Sequence, residues 1–185
     1  MGARLPNTDH PPDAGDVNRR AGNAPGASAV RGYTPGTGER DPHDLARFVH
    51  AQEGVYEQAL AELRGGQKRS HWMWFIFPQF DGLGASATSR RYAIRSLGEA
   101  RAYLRHPVLG ARLTECTAAV HGLHGRSARQ IFSTPDDRKF RSSMTLFELA
   151  SSPDSPFAAA LEKYFAGERD ERTITLVRAT EAVDR

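Results

Sequence analysis

The sequence predicts a mainly α-helical protein: a compact single-domain helical bundle with one irregular aromatic segment, preceded by a disordered N-terminal arm. Three observations predict it. From Asp41 onward apolar residues recur at three-and-four spacing, as one face of a helix requires. Strong helix starts punctuate the chain at Asp41-Pro42, Ser96, Thr134-Pro135 and Ser155-Pro156. Before Arg40 the large apolar residues are sparse and scattered (Leu5, Val17, Val30, Tyr33) among prolines, glycines and charges of both signs, so no element there can bury a face. The boundaries read from this are an arm over 1–40, a domain over 41–178 and a frayed tail over 179–185.

The elements follow in order. Asp41 offers a capping carboxylate and Pro42 suits a first helical position, after which Leu45, Phe48, Val49, Gln52, Tyr56, Ala59, Leu60 and Leu63 predict one long amphipathic helix ending at Gly65-Gly66. Gln52 interrupts its apolar stripe; a buried glutamine needs partners, so it either ties down a loop or faces a site. Ser96 with Glu99 spells a capping box ahead of Leu97, Ala100, Tyr103 and Leu104. His106-Pro107 is a joint, and Val108, Leu109, Leu113, Cys116 and Val120 then share one side of a second helix closed by Gly122 and Gly125. Ser127 caps a short turn through Ile131 and Phe132. Thr134-Pro135-Asp136-Asp137 combines cap, proline and first-turn acids ahead of Phe140, Met144 and Phe147. Ser155-Pro156 opens a helix with Phe157, Leu161, Tyr164 and Phe165, stopped by Gly167, and Ile174, Leu176 and Val177 mark a last short element that folds back on the bundle.

Composition narrows the function classes. A chain of 185 residues suits one ordinary domain. No stretch approaches the roughly 20 apolar residues that span a bilayer and the first residues lack a secretory signal, so the expectation is a cytoplasmic protein with no membrane partner. A formal charge of +3 is too small an excess to argue for nucleic acid, despite the pI of 9.3. The single cysteine, Cys116, falls at helical spacing with Leu109, Leu113 and Val120 and reads as a small core hydrophobe. His121 and His124 suit the end of a helix dipole, and without a third ligand they do not predict a metal site. No cofactor is expected.

The stretch from Lys68 to Tyr92 breaks the helical rhythm. Two tryptophans and three phenylalanines crowd the nine residues Trp72 to Phe80, and Pro78 ends the run. Two readings stand. The run either threads the bundle as aromatic bulk, or lines a pocket in which Trp72 or Trp74 stacks a planar ligand. On the pocket reading the candidate binding residues are Gln52, Lys68, Trp72, Trp74, Gln79, Gly82, Gly84, Ser86, Ser89, Tyr92, Ser142 and Ser143. Gly82-Leu83-Gly84 with Ser86 and Ser89 resembles an anion-holding turn, although no alternation of strands and helices supports a dinucleotide fold. On the later helix Asp136, Asp137, Lys139, Arg141, Ser142, Ser143 and Thr145 form a polar cluster; the acids suit the dipole, and a lysine beside hydroxyls is a phosphate hook, a nucleophile or simply a solvated side chain. His71, Asp137 and Lys139 are the candidates for proton transfer or covalent chemistry.

The run His71-Trp72-Met73-Trp74-Phe75-Ile76-Phe77-Pro78-Gln79, followed by Gly82-Leu83-Gly84 and Ser86, resembles the signature of the bacterial DUF1810 family. So do Glu99-Ala100, Tyr103-Leu104, His106-Pro107, Leu109-Gly110, Arg112-Leu113, Pro135-Asp136-Asp137, Lys139, Ser142-Ser143 and Thr145-Leu146-Phe147, over about Asp41 to Val177. The resemblance implies a compact, mainly helical fold of uncharacterised function. The calpastatin label some members carry has no physical counterpart in a capped helical domain. A fainter likeness is to the NADAR family, helical proteins tied to ADP-ribose chemistry, and no catalytic residue carries over from it. The functional expectation is a small enzyme or binding protein for a nucleotide or ADP-ribose-like ligand. The alternative is an interaction module or homodimer using Trp72, Trp74 and Phe80 as partly exposed anchors.

Overall fold

The computed structural model describes residues 41–183. The predicted arm over 1–40 and the last two residues of the predicted tail lie outside them. Among the described residues the chain forms ten helices: α1 (Ala46–Gln52), α2 (Tyr56–Arg64), α3 (Met73–Ile76), α4 (Ala87–Arg91), α5 (Leu97–Arg105), α6 (Leu109–His121), α7 (Ala128–Phe132), α8 (Asp136–Leu149), α9 (Pro156–Phe165) and α10 (Glu171–Val183). None is long and apolar enough to cross a membrane.

The packing centres on α8, which touches α5, α7, α9 and α10, while α6 packs against α2, α5 and α9. Phe140, Met144 and Phe147 form the helical stripe read from the sequence and are fully buried. Ser142, Ser143, Thr145 and Leu146 are buried too, because a helix enclosed by neighbours has little surface left for solvent. The aromatic run enters this core: Phe77 meets Phe140 edge-on at 5.0 Å between ring centroids and Phe132 at 6.0 Å, while Phe132 stacks on Phe140 at 4.6 Å. Each such buried side chain contributes about 1.5–3 kcal/mol by leaving water. Cys116 is fully buried, and burial foremost pushes its thiol pKa up to about 12, as a core hydrophobe requires.

The start signals act largely as local chemistry dictates. Ser96, Ser127 and Ser155 each accept a hydrogen bond from the backbone N–H three residues on, and Ser127 with Gln130 closes a reciprocal capping box. Glu99 departs from the expected box, because its carboxylate turns instead to the Arg95 N–H (2.9 Å) and to Arg47 (2.5 Å). Arg47 also donates to the carbonyls of His43, Asp44, Arg91 and Ala93, so a buried ion pair ties α1 to α5 through the chain between them.

Two elements differ from expectation. The single long helix is two: α1 stops at Gln52, Gly54 takes φ +70, and α2 restarts at Tyr56. The break escapes periodicity because Gln52 and Tyr56 keep helical spacing across it. The same region starts late, at Ala46, whose N–H the Asp41 carboxylate caps at 3.0 Å. At the other end α10 continues past Arg178 to Val183, where the tail was expected to fray; it is started by Asp170, whose carboxylate accepts from Thr173 N at 3.0 Å.

Candidate functional site

The aromatic segment is held from both sides. Behind it, the Gln52 side-chain amide donates to the Phe75 backbone carbonyl at 2.8 Å and to the Tyr103 hydroxyl at 3.1 Å, while Arg112 donates to the Gln52 side-chain oxygen Oε1 at 3.2 Å. Gln52 is thus the residue that ties down a loop, and it faces no cleft. In front, Ile94 N–H donates to the Gln79 carbonyl and Asp81 N–H to the Ile94 carbonyl, both at 2.9 Å, pairing Phe80 with Ile94 like a fragment of parallel sheet. The two tryptophans then part company. Trp72 is fully buried, its indole N–H donating to Glu62 at 2.9 Å, whereas Trp74 is only partly buried.

Trp74 faces the start of α8. Lys139 Nζ lies 4.8 Å from the centre of its ring and bonds Asp136 Oδ1 at 2.6 Å. Lys68 Nζ bonds the other oxygen, Oδ2, at 2.7 Å and stands 5.2 Å from the Trp72 ring. Burial alone would raise the Asp136 pKa, but the hydrogen bonds and charges of Lys139 and Lys68 overcome it and hold the carboxyl below the usual range. Between these walls opens a cleft of about 470 Å³, within the range of small-molecule pockets. Trp74, Gln79 and the 83–86 loop form one side and Pro135, Arg138, Lys139 and Ser142 the other, with Asp170 and Arg172 from the start of α10. Counting the shared acid behind it, four cations (Lys68, Arg138, Lys139, Arg172) face two carboxylates (Asp136, Asp170). The cleft is therefore electropositive and suits an anion.

A family model described as "Protein of unknown function (DUF1810)" matches residues 42–177. The chain belongs to DUF1810. Among solved structures it is similar to the conserved hypothetical protein Rv1873 from Mycobacterium tuberculosis, 54% identical, covering 75% of this chain and 99% of that one, with a TM-score of 0.73. No curated protein matches it.

Of the DUF1810 residues singled out by sequence, the structure brings Trp74, Gln79, Gly84, Ser86, Ser89, Lys139 and Ser142 to the cleft. Gly82 and Tyr92 line a hollow of about 10 Å³ that shares Trp74, Gln79, Gly84 and Ser89 with it. Gly84 has to be glycine, since a Cβ there would meet Ser89 Cβ and Oγ at 2.6 Å. Lys68 stands behind the cleft, joined to it through Asp136.

Other expectations are corrected. Trp72 cannot stack a ligand, because its indole is packed in the core. Ser143 is fully buried on the core side of α8 and does not line the cleft. His71 is exposed and outside the cleft, and Asp137 sits in the first turn of α8, where Thr134 Oγ1 donates to it at 3.3 Å. Ser86 and Ser89 have spent their hydroxyl protons: Ser86 Oγ donates to Ser89 Oγ at 3.0 Å, and Ser89 Oγ donates to the Ser86 carbonyl at 2.8 Å. What they have left are acceptors, which do not hold a phosphate. Of the three anchors of the interaction reading, Trp72 is 0% and Phe80 4% exposed, so only Trp74 is available.

Sequence reasoning missed Arg138, Asp170 and Arg172. The guanidinium groups of Arg138 and Arg172 and the Asp170 Oδ1 atom make no hydrogen bond among the described residues, whereas Lys68, Lys139 and Ser142 are all engaged. Asp170 preceding an apolar stripe is a legible helix cap, but nothing local says that it meets Ser142, whose hydroxyl donates to Asp170 Oδ2 at 3.1 Å.

Proposed function

We propose that this DUF1810 chain binds an anionic nucleotide-like small molecule, of the nucleotide or ADP-ribose class, in the cleft between Trp74 and the start of α8. The observation that carries the reading is the meeting of a partly exposed indole with two guanidinium groups, Arg138 and Arg172, that have no protein partner among the described residues. Unspent, planar donors are what a phosphate oxygen needs, and an aromatic surface is what a base needs. Lys139, of the three residues considered for chemistry, is the one that reaches the cleft. Its ammonium already serves Asp136 and one face of Trp74, which favours a binding role over a nucleophilic one.

Titration of AMP, ADP and ADP-ribose against the full chain, followed by thermal unfolding and calorimetry at low and high salt, tests the reading. A ligand at about 100 times its dissociation constant adds about 2.7 kcal/mol, a rise in Tm of roughly 5–10 °C for a domain of this size. The Arg138→Ala/Arg172→Ala double variant is expected to abolish the rise while keeping its own Tm. A wild-type melting point unmoved by all three ligands at millimolar concentration sinks the proposal.

A further inference from the structure

The polar groups around the cleft divide into those whose hydrogen-bonding capacity the protein uses and those whose capacity it does not. Lys139, Ser86, Ser89, Ser142 and one oxygen of Asp170 are used, in the bonds described above. The carboxamide of Gln79 is not: its backbone carbonyl accepts from Ile94, but the side chain bonds no described residue. It is nevertheless partly buried and lines the cleft next to Trp74. A carboxamide that solvent reaches and no protein group engages keeps both its donor and its acceptor free for a guest, which it can bond once the water on it is displaced.

We infer that Gln79 is the group that reads the base of the bound nucleotide, an inference that rests on the cleft reading above. A carboxamide sets one donor beside one acceptor, the complement of a base edge that sets an acceptor beside a donor, as adenine does with its amino group and adjacent ring nitrogen. Trp74 lies alongside with an apolar aromatic surface, while Arg138 and Arg172 supply cationic donors for phosphate oxygens. The positions divide the labour: Arg138 and Arg172 give affinity for any phosphorylated sugar, and Gln79 gives preference for the one with the right base. A site whose polar group is built to be completed by ligand rejects an analogue that cannot complete it far more strongly than an apolar wall does.

The experiment compares AMP, purine riboside 5′-monophosphate (which lacks the amino group) and ribose 5-phosphate, by calorimetry, on the full wild-type chain and on Gln79→Leu. Because the side chain makes no bond inside the protein, Gln79→Leu is expected to keep its melting point within about 2 °C. Expected for the wild type is AMP binding at least about tenfold tighter than the purine analogue, the scale of one bidentate contact. In Gln79→Leu that preference disappears while ribose 5-phosphate binds within about twofold of wild type. Gln79→Glu, which keeps size and an acceptor but loses the donor, weakens AMP in the same direction and covers the case in which leucine disturbs the fold. An AMP-to-analogue ratio near one in the wild type, or unchanged in both variants, overturns the role of Gln79 and leaves the anion cleft standing. Failure of all three compounds to bind the wild type overturns the cleft reading, and this inference with it.

Discussion

The ammonium of Lys139 lies 4.8 Å from the centre of the Trp74 indole ring, and Lys68 stands in the corresponding place over Trp72 at 5.2 Å. Asp136 joins the two pairs, with one carboxylate oxygen on each lysine. One acid therefore couples an indole of the core to an indole of the cleft wall. The side chains of Lys68, Asp136 and Lys139 are only 9%, 16% and 23% exposed, so solvent screens this triad little.

Asp136→Asn is expected to cost about 2–4 kcal/mol in chemical denaturation, because it leaves two partly buried ammonium groups without a counter-charge. Adding Lys68→Met to it should restore part of the loss, by removing the more buried of the stranded cations. Additive losses in the double variant would show that the triad does not act as a unit.

The two tryptophans should behave differently when truncated. Trp72→Ala empties a fully buried site and strips Glu62 of a donor, at about 3–5 kcal/mol. Trp74→Ala gives up a cation–π contact and part of a wall, at about 1–2 kcal/mol, and on the proposed function weakens nucleotide binding instead. Urea midpoints at constant m-value measure both, and equal losses would contradict the division between core and cleft.

Gly110→Ala should be among the most damaging small substitutions. A Cβ there would sit 2.0 Å from the Leu104 carbonyl oxygen and 2.8 Å from its carbon, both backbone atoms that cannot swing aside. A loss of about 3 kcal/mol is expected by overpacking, with the α5–α6 corner opening. A melting point within a degree of wild type would mean that the corner relaxes freely.

Stability should fall as the solution is acidified, in two windows. His106 Nδ1 accepts from the N–H groups of Val108 (3.2 Å) and Leu109 (3.3 Å), so the cap needs neutral imidazole. Burial lowers its pKa from the ordinary 6.5 against the pull of Asp41, so its contribution is full above 6.5 and is lost as pH falls through the depressed folded value. Glu62 accepts from the Ser70 hydroxyl, the Arg69 and Ser70 N–H groups and the Trp72 indole; against the opposing effect of burial, these bring its pKa from 4.5 to about 2. Its contribution is present above 4.5 and is lost between 4.5 and 2. Thermal melts of wild type, His106→Asn and Glu62→Gln across pH 3–8 check the assignment: the first variant should flatten the upper window and the second the lower, each leaving the other intact.

What the sequence made legible is what is decided within a turn of chain. Serine caps at Ser96, Ser127 and Ser155 act on N–H groups three residues away, and the stripe Phe140, Met144, Phe147 needs only helical geometry. The aromatic run was visible as unusual, but alternation of buried and exposed positions inside a one-turn helix carries no period, so Trp72 and Trp74 could not be told apart. The break at Gly54 was hidden because it preserves the phase of the apolar positions. Arg138, Asp170 and Arg172 escaped because each looks like an ordinary charged residue near a helix start; their meeting depends on α10 folding back beside α8, a tertiary fact. The Glu99 carboxylate was read as a cap for the same reason, since its partner Arg47 lies far back along the chain.

The short pairing of Phe80 with Ile94 pins the chain on either side of it, next to the Gln79 wall of the cleft. With the Gln79 carbonyl and the Asp81 N–H both fixed to Ile94, and Phe75 held from behind by Gln52, the backbone on this side is set before anything enters the cleft. The side chain at position 79 then hangs from a rigid frame without bracing it. An exchange at that position therefore changes the chemistry of the cleft wall without touching a bond that holds the architecture.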